Sequence, residues 1–304
     1  MHKSVLLNET IDNLQIKDNL IYVDATLGYA GHSREVLKRI KKGFLFAFDQ
    51  DSEAIEYSKK VLDGISKSYE IIHANFIDLK SELSKRGINK IDGIMFDLGV
   101  SSPQLDNEER GFSYQHDARL DMRMNQDNKL SAYEVVNNYS EQALSNIFFQ
   151  YGEEKYAKSI ARKIMEQRTT KPIETTFELV EIIKMSVPDK YKRVGHPARK
   201  VFQAIRIEVN KELDILEQAL DDAIDMLNKN GRICVITFHS LEDKICKHVF
   251  KKHSDVSEVV KGLPNIPDEY KPTLKLIGKY VPSEDELNIN NRARSATLRV
   301  AEKV

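Results

Sequence analysis

The chain has 304 residues, of which 31% are charged and 41% hydrophobic, and its formal net charge at pH 7 is −1. This composition is typical of a globular protein and excludes a disordered chain or a histone-like polycation. No apolar run approaches the roughly 18–20 residues that span a bilayer, and the early acid Glu9 argues against a signal peptide. Cys234 and Cys246 offer neither a disulfide framework nor a zinc spacing, so we expect a reduced, cytoplasmic protein without a membrane partner.

The first hundred residues contain four short apolar runs, spaced by roughly 23–25 residues. Runs that are apolar throughout are typical of strands in a parallel sheet covered on both faces. Helical patterns fill the gaps between them, and Ser33 and Ser52 are predicted to cap the first two helices. This alternation predicts a doubly wound α/β domain. The four runs end at or near Asp24, Asp49, Asn75 and Asp97.

Residues 108–206 show helical patterns and no strand-like run. Ser131 begins one of these patterns, and Thr175 with Glu178 forms a capping box before another. We therefore predict an inserted helical substrate-recognition domain over residues 108–206. The surrounding residues 1–107 and 207–304 are predicted to form one discontinuous cofactor-binding domain.

The α/β pattern resumes with apolar residues at steps of three and four from Phe202 to Leu227, which predict one long amphipathic helix that ends at Gly231. Residues 232–238 then predict a fifth strand. Two further strand candidates, residues 274–281 and 295–301, predict an antiparallel pair at the edge. The expected fold is a Rossmann-like sheet, mostly parallel with an antiparallel edge strand, and with an inserted all-helical subdomain.

Open α/β sheets bind ligands outside the carboxyl ends of their strands. A loop with Gly28 and Gly31 follows the first strand, where the backbone can approach a ligand closely. Asp49 ends the second strand, 18 residues after Gly31, where a carboxylate can accept both hydroxyls of a ribose. Phe76 follows the third strand and is placed to lie against an adenine ring.

The glycine pattern distinguishes between two adenosyl ligands. A dinucleotide fingerprint requires G-x-G-x-x-G, but Ala30 occupies its middle position here. The Asp24 carboxylate would repel a pyrophosphate, whereas it can hold the ammonium group of S-adenosylmethionine, directly or through water. The pattern favours S-adenosylmethionine over a nicotinamide cofactor. The glycine loop taken alone would also fit a plain strand–helix turn.

Nine segments, in order along nearly the whole chain, resemble the family of 16S ribosomal RNA cytosine-N4 methyltransferases, also called RsmH or MraW. One departure is Ala30, where many members have a second glycine. The segments are residues 2–9, 24–33 (DATLGYAGHS), 48–51, 97–106 (DLGVSSPQLD), 110–113, 120–124, 197–206 (PARKVFQAIR), 237–243 and 291–296.

The resemblance implies a class I methyltransferase fold and S-adenosylmethionine as methyl donor. It implies N4-methylation of a cytidine, cytidine 1402, in the decoding region of 16S rRNA in the small ribosomal subunit. It adds Gln104 to the positions that the strand ends indicate. Carried over by motif, the donor contacts are Ala30, Gly31, His32, Asp49, Phe76, Asp97 and Gln104.

The cytosine amine needs a hydrogen-bond acceptor. Other amino-methyltransferases place a (D/N/S)-P-P-(Y/F) motif after the fourth strand, whereas this chain has Ser101-Ser102-Pro103-Gln104 and no aromatic residue. Asp97, Ser101 and Ser102 are the first candidates and His239, after the fifth strand, is the second. The alternatives are that Asp97 only binds the cofactor and that His239 is structural. We predict no catalytic metal, because six histidines show no ligand spacing: His2, His73, His116, His196, His248 and His253.

Residues 184–206 carry seven cations against one acid, which is typical of a phosphate-binding surface. Any single charge run of this kind would equally fit a solvated helix face. Aromatic side chains at Phe112, Tyr114 and Tyr191 are candidates for stacking on an unstacked base. The predicted RNA contacts are Arg110, Arg123, Lys192, Arg193, Arg199, Lys200, Arg206, Arg292 and Arg294.

Three other functions compete with this interpretation. A nicotinamide-dependent oxidoreductase would need a third glycine and a first strand without the terminal acid. A non-enzymatic ribosome assembly factor would predict a degraded glycine loop or a missing ribose acid, and both features are intact. A methyltransferase acting on DNA or protein stays open on physical grounds, since only the resemblance favours rRNA. The sequence leaves the choice between monomer and homodimer open.

Overall fold

The computed structural model describes residues 4–193, 195–256, 260 and 265–304. His2, within the first of the resembling segments, lies outside them. The chain forms two compact units, one made of Met1–Gly99 with Leu213–Val304 and the other of Val100–Glu212. Within the described residues, no helix combines the length and the apolar character that a bilayer crossing demands.

The first unit is built on a seven-stranded sheet in the order β3-β2-β1-β4-β5-β7-β6. Strands β3, β2, β1, β4 and β5 are parallel, whereas β7 runs antiparallel to both of its neighbours. This confirms the predicted Rossmann-like sheet and its antiparallel edge pair. The strands are β1 Ile21–Asp24, β2 Phe44–Asp49, β3 Tyr69–His73, β4 Ile91–Asp97, β5 Leu227–Thr237, β6 Leu274–Tyr280 and β7 Thr297–Lys303.

Apolar side chains cover both faces of this sheet. Val23 and Phe46 belong to one buried cluster and their strand neighbours Tyr22 and Leu45 to another, because successive strand residues point to opposite faces. Helices contribute to each cluster, so the strands are apolar throughout, as their sequences predicted. The helices of this unit are Leu7–Asn13, Gly31–Arg39, Ser52–Asp63, Leu79–Lys85, Leu216–Met226, Ser240–Ser254 and Glu284–Ile289.

Both predicted serine caps in this unit are wrong. The helix Gly31–Arg39 is preceded by Ala30, and the hydroxyl of Ser33 lies inside it and donates to Asp24 at 2.7 Å. The next helix begins at Ser52, but Asp51 caps it by accepting the backbone N–H of Glu53 at 3.1 Å. Ser33 does not cap because its hydroxyl donates a hydrogen bond to Asp24. Ser52 does not cap because the Asp51 carboxylate takes that role.

The second unit is helical, as predicted. Ser131 and Thr175 begin helices with capping boxes, which confirms both assignments. Among the described residues of this unit, the only strand-like pairing is an isolated bridge between Arg119 and Thr175. A single hydrophobic cluster forms its core. The helices are Ser102–Asp106, Ala132–Asn138, Glu141–Gln150, Ala157–Arg168, Thr176–Met185, Asp189–Lys192 and Ala198–Asn210.

The single helix predicted from Phe202 to Leu227 is wrong. The first helix ends at Asn210, because Lys211 adopts a left-handed conformation with φ of 54°, and a second helix covers Leu216–Met226. The buried Asn210 amide donates to the carbonyl of Met122 at 2.8 Å and accepts the N–H of Met124 at 2.8 Å, which holds this helix end in place. The apolar spacing continues through the turn, so the pattern concealed the break. Strand β5 correspondingly begins at Leu227, before Gly231.

Candidate functional site

Three carboxyl groups lie at neighbouring strand ends. Strand β1 pairs with β2 on one side and with β4 on the other, which is the switch point where parallel sheets open a crevice. Asp24, Asp49 and Asp97 are the last residues of these three strands. The sheet therefore brings together the acids that follow separate apolar runs in the sequence.

Asp24 organises the backbone at the base of this crevice. It is 2% exposed, and its carboxylate accepts hydrogen bonds from the Ser33 hydroxyl at 2.7 Å and the Thr26 backbone at 3.1 Å. Burial raises the pKa of Asp24 to about 6 despite these two donors. The Thr26 hydroxyl in turn accepts the N–H of Asp97 at 2.6 Å, which links the ends of β1 and β4.

Asp49 is bonded to the glycine loop. Its Oδ2 accepts the N–H of Gly28 at 2.7 Å, and its Oδ1 accepts the N–H of Asp51 at 2.9 Å. Each carboxylate oxygen has two acceptor sites, so one site on each oxygen remains for the two hydroxyls of a ribose. Burial raises the pKa of Asp49 to about 7.

Gly28 is held from both sides. Its N–H donates to Asp49, and its carbonyl accepts the hydroxyl of the fully buried Ser58 at 2.7 Å. Sequence reasoning missed Ser58, which lies on the helix after Asp49 with no motif to mark it.

Ala30 and Gly31 shape the backbone of the loop. Ala30 is buried and has a φ of 61°, a left-handed conformation that glycine adopts without strain. A side chain at Gly31 would place its Cβ 1.7 Å from the hydroxyl oxygen of Ser4. The amino-terminal segment therefore lies directly against the loop, a contact that sequence reasoning did not foresee.

His32 connects the amino-terminal segment to Asp97. Its Nε2 lies 3.1 Å from the carbonyl oxygen of Val5, and its Nδ1 lies 3.6 Å from Oδ2 of Asp97. Burial lowers the pKa of His32 to about 4, so the ring is neutral at neutral pH. Its contribution to the site is orientation rather than charge.

Asp97 has the most strongly perturbed carboxyl group of the three. Burial, with the charges of Asp24 and Glu242 added, raises its pKa to about 8. Among the described residues, no donor hydrogen-bonds its buried Oδ1. Because an unpaired buried acceptor is costly, this atom is suited to a hydrogen bond from a ligand.

Two rings follow the strands that flank the three acids, β3 on one side and β5 on the other. Phe76 begins a short 3₁₀ helix after β3, and its ring meets the edge of Phe96 at a centroid distance of 5.9 Å. His239 precedes the helix Ser240–Ser254, and its Nε2 lies 3.1 Å from Oε1 of Glu242. The buried Glu242 accepts the backbone N–H of His239 at 3.2 Å, whereas neither ring nitrogen of His239 has a hydrogen-bond partner among the described residues.

Ser101, Ser102 and Gln104 belong to the second unit. The Ser101 hydroxyl accepts the N–H of Gln104 at 3.4 Å, and the Gln104 side chain accepts the N–H of Ser101 at 3.0 Å. This reciprocal pair begins the helix Ser102–Asp106, in which Ser102 and Gln104 are buried. The Ser101 hydroxyl thus has a structural role at the helix start.

Arg110 is misassigned as an RNA contact. It is 4% exposed, and its guanidinium donates to the carbonyls of Arg123 at 2.9 Å and Met124 at 3.1 Å. Arg123 is itself paired with Asp121 at 2.7 Å. A buried guanidinium that holds a loop closed cannot reach a phosphate, so Arg110 is removed from the predicted surface.

The other predicted cations differ in exposure, and some of the exposed ones are also paired: Lys192 lies 2.8 Å from Asp189, and Lys200 donates to the carbonyl of Glu153 at 2.8 Å. Arg206 is largely buried and donates twice to Glu212, each time at 2.8 Å, so its charge is compensated. Phe112 is buried in the core, and the Tyr191 hydroxyl donates to Glu154 at 2.7 Å. The exposed cations are Lys192, Arg193, Arg199, Lys200, Arg292 and Arg294.

The strand-end geometry fits a cationic adenosyl ligand. Asp49 retains acceptor sites for a ribose, and the unpaired Oδ1 of Asp97 lacks the donor that a ligand can supply. Three neighbouring acids would repel a pyrophosphate, whereas the ammonium and sulfonium of S-adenosylmethionine would favour their ionised forms.

We expect Asp97 to make the unliganded protein less stable as the pH rises. Its pKa of about 8 lies above the ordinary 3.8, so the folded state binds this proton more tightly than the unfolded state does. The resulting stability is complete below about pH 4 and is lost as the pH rises through 8. Asp97→Asn removes this titration. Between pH 5 and pH 8, the free energy of unfolding of Asp97→Asn, measured with denaturant, should therefore rise relative to that of wild type by at least about 1.4 kcal/mol.

Asp63→Asn is the control for this series. Asp63 is exposed, and its pKa lies below the ordinary value because of hydrogen bonds from Lys67 and Tyr69, so it is ionised throughout this range. The difference in free energy of unfolding between Asp63→Asn and wild type should therefore stay constant from pH 5 to 8. Parallel curves for wild type and Asp97→Asn would contradict the assignment of the raised pKa.

The chain is similar to solved methyltransferase structures and to one protein family. Three solved structures match the chain at low identity. An rRNA methylase from Streptococcus thermophilus is 13% identical with a TM-score of 0.47, and the match covers 100% of this chain and 99% of that one. A putative rRNA methylase from Clostridium thermocellum (13% identity, TM-score 0.44) and a putative methyltransferase from Streptococcus mutans in complex with SAH (14% identity, TM-score 0.43) are each matched over 100% of both chains. The family described as the MraW methylase family matches residues 1–304. The chain therefore belongs to the MraW methylase family, the rRNA-modifying family that its sequence resembles, and it is an S-adenosylmethionine-dependent methyltransferase.

Proposed function

We propose that this methyltransferase transfers a methyl group to N4 of a cytidine in 16S rRNA, at cytidine 1402 in the decoding region of the small ribosomal subunit. The observation that carries the proposal is the family match over all 304 residues. The intact glycine loop and the three acids at the strand ends support an active enzyme over a protein that only keeps the fold.

The donor contacts follow from the strand ends. Asp49 would bind the ribose hydroxyls, and Phe76 would lie against the adenine. The backbone of Ala30, Gly31 and His32 would line the amino-acid moiety. Asp97 and, by family resemblance, Gln104 complete the set. When bound, S-adenosylmethionine supplies an electrophilic methyl group on a positively charged sulfur.

An acceptor for the amine is the chemical requirement on the protein. The exocyclic nitrogen of cytosine is a poor nucleophile, because its lone pair is delocalised into the ring. A hydrogen bond from the amine to a fixed acceptor localises that pair, and positioning of the reacting groups can contribute about 7 kcal/mol or more. A strong base is not required, since the proton leaves readily once the nitrogen is alkylated.

Asp97 is the best-supported acceptor, because its Oδ1 is buried without a donor among the described residues. His239 is the second candidate: its two ring nitrogens are likewise buried without a hydrogen-bond partner among the described residues, and Oε1 of Glu242 lies 3.1 Å from its Nε2. Ser101 is less suited, since its hydroxyl already accepts the N–H of Gln104. Ser102 is buried at the start of the helix Ser102–Asp106 and stays a candidate.

The two predicted domains divide the work in this proposal. Residues 1–107 with 207–304 would bind the donor, and residues 108–206 would recognise the RNA. Exposed cations such as Arg193, Arg199 and Lys200 would contact phosphates, which makes RNA binding salt-dependent. The target base would be unstacked before reaction.

Product analysis tests the proposal directly. Unmodified small ribosomal subunits incubated with labelled S-adenosylmethionine should yield label in N4-methylcytidine after digestion to nucleosides. Subunits that already carry this modification should accept no label. Label in another nucleoside, or in ribosomal protein, would overturn the assignment.

Asp49→Asn should weaken S-adenosylmethionine binding at least about tenfold in calorimetry, because hydrogen bonds to a charged acceptor contribute about 1.5–3 kcal/mol. The amide keeps the size of the carboxylate but replaces one of its acceptor oxygens with a donor. The control is Asp63→Asn, at the exposed end of the following helix, whose affinity should equal that of wild type. Unchanged affinity in Asp49→Asn would show that the ribose binds elsewhere.

Asp97→Asn should lower turnover at saturating donor by at least about tenfold if Asp97 accepts from the amine. Asp49→Asn, saturated in the same assay, should keep turnover close to wild type, since its defect is in binding. The turnover of His239→Gln is measured in the same assay. A loss confined to Asp97→Asn identifies Asp97 as the acceptor, and a loss confined to His239→Gln identifies His239. Near-normal turnover in Asp97→Asn would exclude Asp97 from the chemistry.

A further inference from the structure

An aromatic stack reaches the surface of the helical unit. The rings of Tyr114 and His196 are nearly parallel, at 13°, with centroids 4.3 Å apart. Tyr114 also meets Phe202 edge-on at 5.7 Å, and Phe202 is 4% exposed in the core of this unit. The stack is therefore anchored to packed residues rather than being two loose surface rings.

His196 is held in a defined orientation. Its Nδ1 accepts the backbone N–H of Ala198 at 3.3 Å, which leaves the ring proton on Nε2. His196 is nevertheless exposed, although Tyr114 covers one face and Ala198 binds one edge. The exposed part of the ring therefore excludes the face that stacks on Tyr114 and the edge that binds Ala198.

Burial and the charge of Lys184 lower the pKa of His196, so the ring is neutral at neutral pH. A neutral ring binds through its π face rather than through charge. Positive charge that attracts RNA phosphates is supplied instead by Arg193 and Arg199, two exposed cations close by in sequence. Aromatic platforms accompanied by cations are how proteins hold single-stranded RNA, because every base has a π face.

We propose that His196, supported by Tyr114, is a stacking platform for one unpaired base of the RNA substrate. The proposal rests on the proposed function only in taking RNA as the substrate. Stacking of this kind positions the strand without reading its sequence. The pair is anchored to the core through Phe202, and its outer ring is exposed.

The first test replaces the platform. His196→Ala should weaken binding to unmodified small ribosomal subunits at least about fivefold. His196→Phe, which keeps a ring but no imidazole nitrogen, should restore binding to within about twofold of wild type. The matched control is His116→Ala, which removes an exposed histidine of the same unit that pairs with Glu108 at 2.9 Å, and it should bind as wild type does. Affinity for S-adenosylmethionine should be unchanged in all three.

Two results would overturn the proposal. One is normal RNA affinity in His196→Ala, and the other is a His196→Phe variant as weak as His196→Ala, which would indicate a role for the imidazole nitrogens instead of stacking.

A second measurement uses the unaltered protein, so it does not depend on how the variants fold. Irradiation of wild type with an oligocytidine carrying 5-iodocytidine should cross-link the peptide that contains His196 or Tyr114, identified by mass spectrometry. Cross-links confined to other peptides would refute the platform. Failure of the proposed function would appear separately, as label outside N4-methylcytidine in the product assay with wild type.

Discussion

The site depends on three carboxyl groups that share one edge of the sheet. Asp24, Asp49 and Asp97 end adjacent parallel strands, and burial is the largest cause of the raised pKa of each. The charges of neighbouring carboxylates, Asp24 among them, raise the pKa values of Asp49 and Asp97 further. A cationic ligand would reverse that balance, because it would stabilise the ionised forms that burial disfavours. Selectivity for a phosphate-free, positively charged adenosyl ligand follows from the same electrostatics.

Loop rigidity is the second condition that the site requires. Gly28 is fixed by Asp49 and Ser58, and Ser33 binds the carboxylate of Asp24. These contacts use side chains that would otherwise cap helices or face solvent. They fix the backbone of the loop, so little ordering would be left for the moment of ligand binding. The loop is thus organised by the same acids that we propose as donor contacts.

Local patterns predicted much of the fold. The four apolar runs of the first hundred residues became parallel strands, the predicted helix start at Ser131 was found, and the predicted capping box at Thr175 began a helix. The failures share one cause, which is competition from other polar groups: the adjacent Asp51 replaced Ser52 as a cap, and the other competitors lie further along the chain. Ser33 donates to Asp24 instead of capping, and the Asn210 side chain binds Met122 and Met124 where the periodicity continued. Arg110 failed similarly, since a cation in a motif gives no sign of being buried.

By itself the sequence determined the order of strands and helices, the family, and the acids that follow each strand, because these depend on periodicity and on residue type at fixed spacing. The tertiary structure alone decided which of those side chains have acceptor sites to spare. Hydrogen bonds across 21 and 30 residues, from Gly28 to Asp49 and from Ser58 to Gly28, define the loop. Burial raises the pKa of Asp97 and leaves its Oδ1 unpaired among the described residues. Desolvation and long-range pairing arise only when strands separated in sequence become neighbours, so no local pattern encodes them.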